Sequence, residues 1–189
     1  SSANVSCNPP AGTRSSEAVT SEHAYILGPS RELIPVVSTD RGGQYTYHGP
    51  GQLVIYLILN LKRLQNGSPD VRHFISAAIS WLKMSFSSLQ VSVKDNGIGI
   101  WAEDLASKKY FKIASLGLKI RHWISYHGVA INLAPELSYF RNIYPCGLDS
   151  SEISSLHQLG YIVSKSELMA ALIENFCKAF LCDLQDRNN

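Results

Sequence analysis

Hydrophobic and polar residues follow two different periods along the chain, which predicts both helices and strands. After Ser68 and Pro69, a typical helix start, apolar residues recur at helical spacing. They are Val71, Phe74, Ile75, Ala78, Ile79 and Leu82. A second helix is predicted from about Lys165, because Ser164 and Glu167 have the spacing of a capping box and an apolar seam follows every four residues.

Short runs of β-branched and aromatic residues predict strands through the middle of the chain. They cover residues 25–27, 34–38, 53–59, 91–93, 98–101, 111–116, 118–124 and 128–133. The continuous apolar run 53–59 indicates a strand buried on both faces. Strands in the middle with helices at their flanks predict an α+β fold with a mixed, mostly antiparallel sheet. The polar residues 1–20 predict a poorly ordered segment, followed by a single domain over residues 21–189.

Composition excludes several classes of protein. The chain has 189 residues, of which 45% are hydrophobic and 17% charged, and this excludes a disordered chain, a collagen and a coiled coil. A net charge of +2 is too small to indicate a nucleic-acid partner. The longest apolar run, residues 53–61, is much shorter than the ~20 residues of a membrane helix, and no signal peptide is evident. We therefore expect a soluble, cytoplasmic protein, or a mitochondrial one in a eukaryote.

The cysteines are too few and too scattered for a disulfide framework in a chain of this size, so a reduced protein is predicted. They are Cys7, Cys146, Cys177 and Cys182. Cys146 lies between Pro145 and Gly147, and a tight turn of this kind would expose its sulfur for nucleophilic chemistry. A small buried side chain is an equally good interpretation of Cys146 from these residues alone.

A nucleophilic cysteine needs a base or a cation beside it, and His48, His127 and Lys112 are the candidates. Lys112 stands in an apolar strand, where desolvation favours a neutral amine that accepts a proton. An edge-strand lysine that discourages aggregation would have the same pattern. The histidines and cysteines lack the paired spacing of a structural zinc module, so no metal site is predicted.

The most unusual segment is the glycine-rich stretch 41–52, which lies between two predicted strands. Four glycines within it allow close approach of backbone to a ligand, and Arg41, Thr46, His48 and Gln52 supply polar groups. A structural hairpin loop is the alternative. The triplet Tyr-His-Gly at 47–49 recurs at 126–128. Five basic residues within 108–121, a stretch without Asp or Glu, suit an acidic protein partner or a solvated strand face.

Taken together, these segments resemble the lipoate-protein octanoyltransferase family. Residues 41–56, RGGQYTYHGPGQLVIY, are similar to the signature of that family. Three further blocks follow in the order of the family, namely KIASLG at 112–117, YHGVAIN at 126–132 and IYPCG at 143–147. The resemblance extends over residues 34–156.

The resemblance implies a biotin/lipoate ligase-like α+β fold and an acyltransferase activity. Members of the family move an octanoyl group from acyl carrier protein to a lysine on the lipoyl domains of 2-oxoacid dehydrogenases and on the glycine-cleavage H protein. By resemblance, Cys146 carries the octanoyl thioester and Lys112 is its partner, which activates the thiol and relays protons. Neither a cofactor nor a metal is implied, and the basic stretch would face the acidic acyl carrier protein.

The resemblance also implies a substrate pocket built from three blocks. Its residues would be Arg41, Gly42, Gly43, Gln44, Tyr45, Thr46, Tyr47, His48, Ser115, Leu116, Gly117, Gly128, Val129 and Ala130. Backbone N–H groups near residues 116–117 or at Gly128 would stabilise the oxyanion. Family members usually have a helix and a strand before the block at 22–28, so the N-terminal wall of the pocket is expected to differ here.

Two other functions are compatible with parts of this pattern. An ATP-dependent lipoate or biotin ligase shares the fold but needs no nucleophilic cysteine. A non-catalytic binder of lipoyl domains is the second alternative, although such a protein would not need both Lys112 and Cys146. A monomer is expected, because no exposed apolar stripe is evident in the sequence.

Overall fold

The computed structural model describes residues 4–7, 24–41, 45–65, 67–97, 99–143 and 150–180. Two sheets dominate it. The first sheet contains β1 (Asn4–Cys7), β2 (Ala24–Leu27), β3 (Leu33–Ser38) and β4 (Thr46–His48), in the order β2-β3-β1-β4. Strand β1 pairs in parallel with β3 and antiparallel with β4. It therefore separates two strands that are neighbours in sequence.

No strand was predicted among residues 1–20, yet residues 4–7 form β1. The polar composition of the segment gives no sign of this strand. A strand of four residues can be attached to a core by a single apolar residue, which is too little to form a pattern. That residue is Val5, which is fully buried. It belongs to a small core between the first sheet and a 3₁₀ helix, together with Ile34, Tyr47, Phe140 and Ile143.

The second sheet is antiparallel throughout. It contains β5 (Gln52–Tyr56), β6 (Val93–Asp95), β7 (Gly99–Glu103), β8 (Tyr110–Arg121) and β9 (Ile124–Asn132), in the order β5-β9-β8-β7-β6. The two strands predicted over 111–124 are thus one long strand, β8, and the start of β9. The turn between them is His122-Trp123, with φ of 51° and 63°. Asn and Gly usually occupy such a turn, so neither residue indicates it in the sequence.

Strand β5 is an edge strand, and the prediction that residues 53–59 are buried on both faces is wrong. Within the described part of the chain β5 pairs only with β9. Val54, Tyr56 and Ile58 expose 43%, 66% and 64% of their surface. These side chains line an open apolar groove between β5 and the last helix. They are apolar although they are not buried in the sheet.

In the described part of the chain, three α-helices accompany the sheets: α1 (Leu61–Leu64), α2 (Val71–Ser88) and α3 (Lys165–Phe180). Helix α2 begins at Val71 rather than at Pro69, because the Asp70 carboxylate accepts the N–H of Arg72 at 2.8 Å and forms the N-cap. The predicted capping box of α3 is confirmed, since Glu167 N donates to Ser164 Oγ at 3.2 Å and Ser164 N donates to Glu167 Oε2 at 2.8 Å.

Helices α2 and α3 pack together against the second sheet and enclose the main core. The indole of Trp81 donates to the carbonyl of Leu172 at 2.7 Å and joins the two helices. Phe74, Leu82 and Phe86 of α2 are fully buried in this core. Two 3₁₀ helices, Leu137–Asn142 and Ser150–Glu152, lie on either side of residues 144–149. Within the described ranges, no helix has the length and apolar character needed to cross a membrane.

Candidate functional site

Three of the sequence blocks meet at one narrow cavity. Thr46 comes from the glycine-rich block, Lys112 and Ser115 from the second block, and Ala130 from the third. The other lining residues are Gln52, Ala114, Asn132, Phe140 and Ile153. Strand pairing aligns the second and third blocks, because Ser115, Leu116 and Gly117 of β8 stand opposite Ala130, Val129 and Gly128 of β9. Residues from three distant blocks thus converge at one cavity, and its use as a substrate pocket stays a prediction.

Lys112 is buried at this cavity, with 8% of its surface exposed. On one side it pairs with Trp101 of β7, next to a bulge in the β7–β8 ladder. On the other side it forms a bridge to Ile153, and its carbonyl accepts the N–H of Ser154 at 3.0 Å. Lys112 is therefore an interior residue of the sheet, and the interpretation as an edge-strand lysine is wrong.

Cys146 and the predicted pocket residues Gly42, Gly43 and Gln44 lie outside the described residues. The segments on either side of Cys146 are described. Phe140, before it in sequence, and Ile153, after it, both line the cavity of Lys112.

Arg41, the first residue of the glycine-rich block, is held by the N-terminal strand. Its guanidinium donates to Ser6 Oγ through Nε at 3.2 Å and through Nη2 at 2.9 Å, and Nη2 also donates to the Ser6 carbonyl at 2.9 Å. Both residues are buried. These contacts fix the start of the glycine-rich block to β1, and no pattern in the sequence predicted them.

Tyr45 and Tyr47 differ although both belong to the predicted pocket. Tyr45 is 42% exposed, whereas Tyr47 is 1% exposed. The ring of Tyr47 stacks on Tyr139, with 4.7 Å between ring centroids, and meets the edge of Phe140. Tyr47 is therefore part of the small core beside the first sheet. Phe140, which contacts Tyr47 in that core, also lines the cavity.

His48 belongs to a chain of side-chain hydrogen bonds. Its Nδ1 lies 3.1 Å from Gln52 Oε1, and Gln52 Nε2 donates to Asn132 Oδ1 at 2.9 Å. Burial lowers the pKa of His48, and the charge of Arg41 lowers it further, while the contact with Gln52 acts in the opposite direction. Gln52 was predicted as one of the polar groups of the glycine-rich stretch but not as one of the implied pocket residues, and Asn132 was not singled out, although both residues stand inside the family blocks.

The second Tyr-His-Gly triplet has a different environment. His127 Nε2 lies 2.8 Å from Asp40 Oδ1, and Lys119 bonds the other oxygen of Asp40. The hydrogen bonds from Lys119 and His127 lower the pKa of Asp40 to about 2, and the bond from Lys119 has the larger effect. The interaction joins the segment before the glycine-rich block to the β8–β9 hairpin.

The basic stretch 108–121 is partly neutralised by residues from elsewhere in the chain. Lys119 pairs with Asp40, Lys108 lies 3.6 Å from Glu103, and Lys112 is buried. Lys109 and Arg121 are exposed. Across the described ranges, no group of three or more His, Cys, Asp and Glu residues is arranged to hold a metal ion.

Comparison with known sequences gives close relatives. The lipoyl protein ligase A/B catalytic domain matches residues 23–177. The octanoyltransferase of Rickettsia massiliae is 42% identical over 149 residues, which is 78% of this chain and 70% of the relative. The octanoyltransferase of Wolbachia pipientis is 39% identical over 151 residues, which is 79% of this chain and 72% of the relative.

Comparison with solved structures supports the fold. A lipoate-protein ligase A bound with ATP has a TM-score of 0.62 at 15% identity, and the match covers 79% of this chain and 60% of that chain. A putative lipoate protein ligase from T. acidophilum with bound lipoic acid has a TM-score of 0.60 at 16% identity, covering 78% of this chain and 60% of that one. The predicted biotin/lipoate ligase-like α+β fold is confirmed. The fold, the convergent sequence blocks and relatives at about 40% identity lead to one conclusion. The chain belongs to the octanoyltransferase family.

Proposed function

We propose that this octanoyltransferase moves an octanoyl group from octanoyl-acyl carrier protein to a lysine of a lipoyl domain or of the glycine-cleavage H protein, through a thioester on Cys146. The observation that carries the proposal is the buried Lys112 in a cavity lined by residues of three family blocks. Phe140 and Ile153, which flank the Cys146 segment in sequence, line the same cavity. This supports an encounter between Cys146 and Lys112.

In the first half of the reaction, Cys146 transfers its proton to the amine of Lys112 and attacks the thioester carbonyl carbon. The C–S bond to the carrier breaks, and the departing thiolate takes the proton from Lys112. One thioester replaces another, so no external energy source is needed. Burial of Lys112 suits this role, because an amine with little access to water exchanges its proton with the reacting groups in the cavity rather than with solvent.

In the second half, the amine of the acceptor lysine attacks the octanoyl carbonyl on Cys146. The C–S bond breaks, an amide forms, and the amine loses a proton. Lys112 accepts that proton and returns it to the Cys146 thiolate, which restores the starting state. The two carriers bind in turn, so the same cavity serves both. Stabilisation of the oxyanion by backbone N–H groups near Gly117 or Gly128 is part of this proposal.

The central experiment is intact mass spectrometry after incubation with octanoyl-acyl carrier protein. Wild type should gain one octanoyl group that hydroxylamine removes, and Cys146→Ser should not gain it. Cys177→Ser is a matched control, since Cys177 lies half-buried on α3, and it should load as wild type does. An absence of adduct on wild type, or equal loading of Cys146→Ser, would contradict the mechanism.

The same preparation tests the two alternatives. An ATP-dependent ligase would form an acyl-adenylate from ATP and free octanoate and would modify a lipoyl domain without acyl carrier protein. A non-catalytic binder would retain a lipoyl domain without modifying it. Octanoylation of the lipoyl lysine from the carrier alone, without ATP, supports the proposed transferase over both.

The proposal has three further parts. They are the identity of the two carrier proteins, a location in the cytoplasm or mitochondrion, and a monomeric state. Lys108, Lys109 and Arg121 are the exposed members of the basic stretch, and Lys108 also lies near Glu103. We expect them to contribute to the encounter with an acidic carrier protein through long-range attraction, which high salt weakens.

A further inference from the structure

Two backbone carbonyls orient the side-chain amides beside the cavity. Asn132 Nδ2 donates to the carbonyl of Ser154 at 3.0 Å. A carbonyl oxygen only accepts hydrogen bonds, so the amide nitrogen of Asn132 must face Ser154, and Oδ1 must face the other way. Asn132 is only 6% exposed, so water has little access to its amide and does not replace these hydrogen-bond partners.

The orientation of Asn132 determines that of Gln52. Gln52 Nε2 lies 2.9 Å from Asn132 Oδ1 and 3.1 Å from the carbonyl of Tyr47. Both partners are acceptors, so they use both N–H groups of the Gln52 amide. The oxygen Oε1 is therefore the atom that faces His48.

The orientation of Gln52 in turn determines the state of the His48 ring. Its Nδ1 lies 3.1 Å from Gln52 Oε1, and an amide oxygen requires a donor there. A neutral imidazole carries only one ring proton, so Nε2 then holds a lone pair and acts as an acceptor. Each step depends on contacts between described residues, and both ends of the chain of amides are fixed by main-chain atoms.

We infer that Gln52 and Asn132 are positioning residues, which hold neutral His48 with its proton on Nδ1 and present Nε2 to the substrate as a hydrogen-bond acceptor. The inference deepens the proposed function and depends on it for the identity of the substrate. An acceptor at Nε2 fits an N–H donor, which the acyl chain lacks. The amide-bearing arm of the carrier and the attacking lysine amine both provide such a group.

The state of the ring can be tested without any substrate. In ¹⁵N NMR at pH 8, the nitrogens of His48 should appear as a protonated Nδ1 and an unprotonated Nε2. Gln52→Met removes the acceptor and should shift the ring toward the form protonated on Nε2, whereas Gln52→Glu keeps an acceptor and should preserve the proton on Nδ1. Gln158→Met is a matched control at an exposed glutamine and should leave the spectrum unchanged.

Each spectrum has an outcome that overturns the inference. A wild-type ring protonated on Nε2 would do so, and so would an unchanged ring in Gln52→Met. If Gln52→Met does not fold, Asn132→Leu provides the second variant, because it leaves the Gln52 amide without its buried partner and should make both ring forms visible. None of these spectra depends on octanoyl transfer, so the inference can fail while the proposed function stands.

Activity then identifies the substrate group. Loading of Cys146 from the carrier and transfer from loaded enzyme to a lipoyl domain are measured as separate single turnovers. Gln52→Met should slow one of them by about tenfold, the equivalent of one hydrogen bond, and Gln52→Glu should restore much of the rate. A slower loading step assigns the partner to the carrier arm, and a slower transfer step assigns it to the lysine amine. Unchanged rates in both steps, with the ring form altered, would overturn the role toward substrate.

Discussion

The side chain of Lys112 lies across the α-carbon of Gly99 on the neighbouring strand. A Cβ at Gly99 would be 2.6 Å from Cε of Lys112 and 3.3 Å from its Nζ. The absence of a side chain at Gly99 therefore provides the space through which the amine reaches the cavity.

This relationship predicts that Gly99→Ala displaces the amine while preserving the fold. The added methyl group meets the flexible end of Lys112, and its contact with the Ala114 carbonyl at 3.0 Å is tight but tolerable. We expect octanoyl transfer to slow by about 10- to 100-fold, since a small misplacement of a reacting group has effects of this size. Single-turnover rates and thermal melting separate the two effects, and a variant with full activity would contradict the prediction.

Removal of the amine itself should have a larger effect. Lys112→Met keeps an unbranched side chain in the buried site but cannot carry a proton, so both half-reactions should slow by about 10²- to 10⁴-fold. Lys109→Met is the control, because Lys109 is exposed and three residues away in sequence. A variant of Lys112 that loads Cys146 at the wild-type rate would show that another group activates the thiol.

Gly128→Ala tests the close approach of β9 to β5. A Cβ at Gly128 would be 1.9 Å from the carbonyl oxygen of Ile55, a main-chain atom that cannot move aside. We expect a loss of about 3 kcal/mol in the free energy of unfolding, or about 6–12 °C in Tm.

Gly67→Ala provides the comparison for that experiment. Gly67 has a φ of +85° and nothing near its potential Cβ, so only backbone strain of about 1 kcal/mol should follow. Urea unfolding of both variants gives the two values. Equal losses would show that the clash with Ile55 is relieved by a shift of the strands.

The buried imidazole of His48 predicts a dependence of stability on pH. Burial lowers the pKa of His48 below 6.5, so below that pH the unfolded chain binds a proton that the folded chain resists. Stability should therefore fall between pH 7.5 and 5.5. In His48→Gln this fall should be smaller, while His73→Gln, a change at an exposed residue of α2, should behave as wild type. The test is urea unfolding at the two pH values, and an unchanged fall in His48→Gln would contradict the prediction.

Sequence patterns correctly predicted those elements that depend on contacts between residues close together in the chain. The capping box at Ser164 and Glu167 uses contacts three residues apart, and the apolar stripe of α2 follows directly from helical geometry. In contrast, the exposure of Tyr56 on β5 depends on the position of that strand in the sheet. The turn at His122 and Trp123 likewise has no turn-forming residues and follows from the pairing of β8 with β9.

The site shows the same division. Thr46, Ser115 and Ala130, three of the residues predicted for the substrate pocket, line the same cavity as Lys112, and their role in binding substrate stays a prediction. The hydrogen bond between Gln52 and Asn132 joins residues 80 positions apart, and no spacing rule indicates such a partner. The pairing of Arg41 with Ser6 was missed for the same reason. The role of Cys146 remains a prediction from the family resemblance.

The insertion of β1 between β3 and β4 has a practical consequence for anyone who handles this protein. Clipping after Cys7, or a bulky purification tag placed immediately before β1, would act on the strand that holds Arg41. The second sheet and its helices share no strand with β1, so such a preparation should still melt cooperatively and keep normal far-UV spectra. It would nevertheless lose activity, so batches should be compared by octanoyl loading rather than by folding alone.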